Sequence, residues 1–292
     1  MTRVRDLGPS PGTDMLTNRL LDIQGQVNKW QRWYADNSGP AVQEFSSLWA
    51  DDQLTAPYQC SHLIQHYLVV GTDAMDALLS SALLLAGEDG ITLTTRPHGQ
   101  VPLIRTALEC ASISICLLGD ANQNSRITLR LRLAMEDIER QAKTQKLGIK
   151  DLKKSGQPSA VTSADVAEQK RRRTQVVKTV SQRLGIPMAA LRSQPGMREM
   201  VARAGFLSGV GQEHTQYLWN VLAGASHGSQ WASQSLLEYN IVDDDPQSEV
   251  ATVKSTLSPW VLAFLIDETQ GLQRHAWQRW EVRAHPVANL VE

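Results

Sequence analysis

Cysteine is scarce: Cys60, Cys110 and Cys116 are the only three in 292 residues. An odd number set in apolar segments excludes a disulfide framework and fits a reducing compartment. None forms a C-x-x-C pair, so no cysteine-based zinc site follows. An excess of one charge is missing as well. Twenty-nine Lys and Arg against 30 Asp and Glu give no bulk attraction for nucleic acid or membrane, so any such binding has to come from a local patch. The longest apolar run, WVLAFLI at 260–266, is far too short to cross a bilayer, and the opening MTRVRDLGPSPGT lacks the apolar core of a signal peptide. A cytoplasmic protein with no membrane partner is expected. Strand-type alternation is confined to ITLTT at 91–95, too little for a sheet. No repeat of solenoid length is found.

What is there is helical. With 42% hydrophobic and 20% charged residues the chain can bury a core and is not a disordered one. Apolar residues recur at three and four from residue 13, giving a first helix with Leu16, Leu20, Ile23, Val27, Trp30 and Trp33 on its stripe. Further helices are expected from Pro40 to Trp49, at 57–86, 101–118, 124–147, 164–184 and 197–204, then from 212 through to 239, and at 258–283, with Gly and Pro marking the stops. The fold class is therefore all-α: a bundle of about eight helices. Residues 1–12 read as a flexible arm and 13–292 as a single helical domain. The segment 146–190 reads as a basic linker and helix inserted in it, because 146–183 holds ten Lys or Arg against three Asp or Glu.

Polar residues on apolar helices mark the candidate site. The segment VPLIRTALECASISICLLG at 101–119 is apolar nearly all round and belongs inside a bundle. Arg105, Glu109 and Ser112 project from it as one stripe, either lining a pocket or tying helices together. The helix after Pro57 carries His62, His66, Asp73 and Ser80 within a narrow arc, so the two helices are expected to share a polar seam. His62 and His66 are also spaced to meet one metal, with a carboxylate from Asp73 or Glu109. The H-E-x-x-H arrangement and the Glu-x-x-His pairs of di-iron bundles are absent, and no metal is assigned. His227 lies in AGASHGS, a run of small residues that lets a ligand or another backbone approach, with Trp231 one turn on. A histidine there is placed to move a proton, or to sit in a tight helix crossing or at a helix break capped by Ser226. Arg126 and Arg130 share a face of the next helix, and Arg96 precedes the apolar one in TRPHG. These guanidinium groups suit a phosphate or carboxylate, or form a solvated face. The run Lys170-Arg-Arg-Arg173 has no aromatic between its charges and so offers no stacking platform for a single strand.

The combination RPHGQVPLIRTALECASISICLL, then Arg126 and Arg130, then YLWNVLAGASHGSQWA resembles a bacterial all-helical family of unknown function over roughly residues 95 to 235. That resemblance makes Arg105, Glu109, Arg126 and His227 the family positions. The helical content also resembles the HEPN superfamily of RNA-cutting and phage-defence proteins. Their hallmark, Arg and His separated by four to six residues, is met by Arg279 and His285.

Two functional readings follow. In the first, a pocket in the bundle core is built by Arg105, Glu109, His62, His66 and His227, with Arg126 and Arg130 at its mouth and Arg96 and Trp231 as further contacts. It takes a small anionic ligand, a phosphate-bearing nucleotide or RNA, and if it is catalytic His227 transfers a proton, Glu109 orients an imidazole or acts as base, and arginines stabilise negative charge. The cofactor is unknown. In the second, the same groups only lock the helices, and Trp30, Trp33, Trp277 and Trp280 build the interface of a homo-oligomer or partner complex.

Overall fold

The computed structural model describes residues 11–36, 41–86, 90–93, 95–192, 196–243 and 252–286. The arm expected at 1–12 falls outside these, apart from its last two residues, which open the first helix. In chain order the elements are α1 (Pro11–Ala35), α2 (Ser47–Thr55), α3 (Cys60–Ala82), β1 (Leu83–Ala86), β2 (Gly90–Leu93), α4 (Pro97–Gly119), α5 (Gln123–Lys154), α6 (Ser163–Arg183), α7 (Met188–Arg192), α8 (Met197–Ser208), α9 (Gln212–Ser226), α10 (Gln230–Leu236), β3 (Leu237–Asp243), β4 (Thr252–Leu257) and α11 (Pro259–Ala284). The protein is mostly helical, with eleven helices among the described residues in place of the expected eight. The extra ones are short, or come from breaks within longer expected runs. The strands form two antiparallel hairpins, β1 with β2 and β3 with β4. Of these four strands only β2 shows in the sequence, because LLLA at 83–86 and LEYNIVD at 237–243 are compatible with helix until a partner strand supplies their hydrogen bonds.

The chain divides into two compact units, the first made of Met1–Ala41, Gln65–Gly119 and Met197–Val282, the second of Val42–Ile64, Asp120–Gly196 and Arg283–Glu292. The basic segment 146–190 is thus part of a larger unit built on α5, α6 and α7.

In the first unit α4 packs against α8 and α9. Pro97 stands at its first helical position, where the missing N–H costs nothing, and the Gln100 side chain accepts from the Arg96 backbone N–H at 2.7 Å. Every residue from Cys110 to Leu118 is buried. α4 is also the one described helix long and apolar enough to cross a membrane, yet 72% of its most apolar window is buried inside the protein. α1 meets α11 through tryptophan. Trp30 stacks on Trp277 with ring centroids 5.8 Å apart, and Trp33 meets the same ring edge-on at 5.7 Å. Trp30, Trp277 and Trp280 are each 5–6% exposed, so the tryptophan faces expected to form an intermolecular interface are internal instead. Residues three apart on one apolar stripe turn the same way, and burying rings of this size drives two helices together before any partner arrives.

In the second unit the core is Ile127, Leu131, Ala134, Ile138, Val177, Val180 and Leu191, contributed by α5, α6 and α7. Thr162 caps α6 with a reciprocal capping box to Asp165. α2 is tied to α5 by a buried ion pair. Arg126 donates from Nε to Asp51 Oδ2 at 2.7 Å and from Nη2 to Oδ1 at 2.9 Å, and from Nη1 to the carbonyls of Asp120 and Ala121. Gln123 Nε2 adds a second donor to Asp51 Oδ1. Both charged side chains are at most 3% exposed.

Breaking this pair from one side leaves the other charge buried and unmatched. Arg126→Met is expected to cost about 3–5 kcal/mol in urea denaturation, whereas Asp51→Leu combined with Arg126→Met recovers a large part of that loss. Burial pushes the thiols of Cys60 and Cys110 up to about 12, with the Asp51 and Glu109 carboxylates adding to it respectively. All three cysteines are free and buried, so at pH 8 a thiol reagent should label none of them in native protein and all of them after unfolding.

Candidate functional site

The structure brings together the three residues singled out for chemistry, and all three belong to the first unit. α4 places Arg105 and Glu109 one turn apart, and Arg105 Nε donates to Glu109 Oε1 at 2.8 Å. Arg105 Nη1 lies 3.0 Å from His227 Nε2. From α9, Trp219 Nε1–H donates to the same Glu109 Oε1 at 2.8 Å. Arg105 and Glu109 are 23% and 22% exposed, and His227 is exposed. The cluster is therefore a half-open edge of α4, not a pocket inside the core. Ser112 leaves the stripe entirely: it is fully buried and its hydroxyl donates to Leu108 O at 2.7 Å in its own helix.

The end of α9 sets the position of His227. His227 is the C-cap; Gly228 follows at φ +72°, the Ser229 N–H returns to Gly224 O at 2.9 Å and the Gly228 N–H to Ala225 O at 3.1 Å. This is the Schellman arrangement, and only glycine takes that backbone region without strain. The helix thus breaks at His227 and Gly228, and the next one is entered from Ser229, not Ser226 as expected from sequence. The Ser226 hydroxyl is buried without a hydrogen-bond partner among the described residues. Trp231, on the first turn of α10, is 55% exposed yet lies against α9. A Cβ at Gly224 would stand 3.0 Å from its ring carbon Cζ2 and 2.7 Å from Ala232 Cβ. The small residues at 223–226 thus serve a close helix approach, with an indole face left beside it.

The hydrogen bonds fix the chemistry of the cluster. A guanidinium only donates, so in this contact His227 Nε2 accepts from Arg105, which assigns the ring N–H to Nδ1. Toward an incoming group His227 therefore offers an N–H and not a lone pair. Arg105 Nη2 has no partner among the described residues, nor have His227 Nδ1 and Glu109 Oε2. The open edge is an array of donors with one carboxylate oxygen beside it. The Arg105 and Glu109 charges cancel, and the C-terminal end of α9 carries partial negative charge, so selectivity there comes from hydrogen-bond direction and not from net charge.

The other expected residues lie elsewhere. Arg126 and Arg130 are in the second unit, 3% and 8% exposed. Arg126 is fully taken up by Asp51 and two carbonyls, and Arg130 donates from Nε to Gln59 O at 2.9 Å and lies over the Tyr58 ring. A carboxylate and backbone oxygens within their own unit hold these two guanidinium groups. His62 and His66 are exposed on α3 and fall in different units, and Asp73 hydrogen-bonds to Tyr34 of α1. The polar arc of α3 thus faces water and α1 and makes no shared seam with Arg105 and Glu109. No group of three or more His, Cys, Asp and Glu side chains placed to hold a metal exists among the described residues. Arg96 and His98 are exposed at the start of α4. Arg279 Nε donates to His275 Nε2 at 3.3 Å, and burial, followed by the Arg279 charge, lowers the His275 pKa below the usual histidine value. His285, the other half of the Arg and His spacing, lies past the end of α11 and in the other unit. Trp219, which the sequence places with Asn220 about two turns before His227, enters the site through its indole N–H, and its partner Glu109 is visible only in the folded chain.

The imidazole tautomer can be read directly. Nitrogen-15 spectra should show His227 protonated on Nδ1 in native protein at pH 8, and Arg105→Ala should return it to the Nε2–H form that free histidine prefers; an Nε2–H signal in the native protein would remove the contact.

No family model matches the chain, and no curated protein or solved structure matches it either.

Proposed function

We propose that the first unit binds a phosphate-bearing ligand, a nucleotide or an RNA terminus, at the open edge formed by Arg105, His227 and Glu109. The observation that carries this reading is the unused donor set: Arg105 Nη2 and His227 Nδ1, on two residues in contact, have no intramolecular partners among the described residues. Phosphate oxygens are acceptors and suit a guanidinium fork beside an N–H. Glu109 Oε2 is then available for a hydroxyl or amino group of the same ligand, which favours a nucleotide over inorganic phosphate. The exposed indole of Trp231, held against α9 at Gly224, supplies a face for a base, a contact that tolerates any base. Arg105 both binds and orients, because the bond from Nη1 keeps the His227 proton on the ligand side. The resemblance to RNA-cutting HEPN proteins points to the same ligand class.

A second reading rests on a different feature of the same bonds. Arg105, Glu109 and Trp219 tie α4 to α9, and a lock of this kind needs no ligand.

Titration calorimetry with uridine and adenosine 5′-monophosphate, next to melting curves, separates the two. Binding by the wild type that weakens about tenfold or more in Arg105→Ala and in His227→Ala, with the melting midpoint moved by no more than about 3 °C, roughly 1 kcal/mol in a domain of this size, supports the ligand site. Absence of binding by the wild type, with both variants melting well below it, supports the lock.

A further inference from the structure

The basic character of the second unit is divided between two helices in an uneven way. On α6, Lys170 bonds to Glu139 across to α5, Arg171 and Arg172 both bond to Glu168, and Arg173 pairs with Asp137. Those two arginines hold the Glu168 carboxyl down to about 2, so the run that looks most cationic in the sequence is matched on the protein itself. The C-terminal part of α5 is different. Lys143, Lys146, Lys150, Lys153 and Lys154 are all exposed, and none has an ion-pair partner among the described residues. At 100° per residue they fall within an arc of about 100°, drawn out over about 16 Å of helix. Two acids share that line further back, and both are taken: Glu136 by Arg140 and Glu139 by Lys170. Between 141 and 157 the sequence has a single acid, Asp151, which lies outside the arc.

Like charges three and four apart on one helix face repel and cost stability. The two lysines of the last turn are favoured there by the helix dipole, which acts only over about one turn and does not account for Lys143, Lys146 or Lys150. We infer that this lysine line on α5 is a binding surface for the phosphate backbone of a nucleic acid. A row of ammonium groups on a straight rod is matched by a row of phosphates, and binding releases the counterions condensed on the strand. A lipid surface fits less well, since Leu147, 59% exposed, is the single large apolar side chain beside the line among the described residues, and one such group gives little to enter the headgroup boundary. The surface is separate from the Arg105 edge and does not rest on the reading proposed for it.

The experiment is a salt titration of binding to a fluorescent 20-nucleotide oligouridine and to an RNA duplex, using the full chain. K143Q/K146Q/K150Q keeps the last-turn lysines and changes only exposed positions. It should reduce the slope of log K against log salt by about 0.7 per lysine on the single strand, or about 0.9 on the duplex, and weaken binding about a hundredfold near 100 mM salt. K143R/K146R/K150R should retain slope and affinity, whereas charge reversal of Arg171 and Arg172 should leave the slope nearly unchanged. Unchanged slope and affinity in the Gln variant overturns the proposal, as does wild-type binding to phosphatidylserine vesicles with none to RNA. Lysine acetylation of the wild type, with and without RNA, tests the same claim without mutation: protection at 143, 146 and 150 supports it, and equal labelling overturns it. Arg105→Ala, run in parallel, reports on the first unit alone.

Discussion

A helix that is apolar nearly all round has to be wrapped, and its few ionisable groups then have to be matched by whatever does the wrapping. α4 is that helix. Arg105 and Glu109 lie on an edge that its packing against α8 and α9 leaves half open, and α9 supplies both partners, Trp219 from its middle and His227 from its C-terminal end. Arg105 meets a carboxylate on one side and an imidazole on the other. Because a guanidinium cannot accept a hydrogen bond, that second contact decides where the His227 proton resides. The chemistry of the edge thus descends from a packing requirement.

The two units solve the same problem of charge beside a core in opposite ways. In the second, Arg126 is saturated: a carboxylate takes two of its donors, carbonyls take another, and solvent is shut out. Such a pair contributes geometry and little net stability, since the desolvation of both ions offsets their attraction. In the first, Arg105 keeps donors in reserve at an accessible edge. Arginines that look alike in sequence therefore differ in whether another molecule can use them, and the difference is the count of acceptors that the fold delivers to each. The same distinction separates the α6 arginines, matched by Glu168 and Asp137, from the α5 lysines, which meet no acid among the described residues.

Much of the helical plan was legible because it depends on local patterns. α6 and α11 fall within a residue or so of their expected bounds, since Thr162 and Gly185 for the one and Pro259 and Pro286 for the other are start and stop signals that act over a single turn. Where the plan failed, the signal was nonlocal. α5 runs seven residues past Leu147, because Gly148 is tolerated inside a helix. The hairpin of β3 and β4 pairs segments that the sequence separates, and its first strand reads as helix when taken alone. α9 was expected to continue to Tyr239; it stops at Gly228, where the Gly228 and Ser229 N–H groups return to carbonyls of α9's own last turn, a local glycine stop that the apolar period on either side masks.

From the chain alone one could know that Arg105 and Glu109 share a face, that His227 sits among small residues, and that the protein is helical, because each of these follows from spacing along a single element. The sequence could not say which arginine would be saturated and which left with free donors, whether Trp30 and Trp277 would face each other or a partner, or which nitrogen of His227 would carry the proton. Those are settled by distances between elements far apart in the chain. Such distances are fixed by the packing of whole helices, and a one-dimensional pattern holds no measure of them.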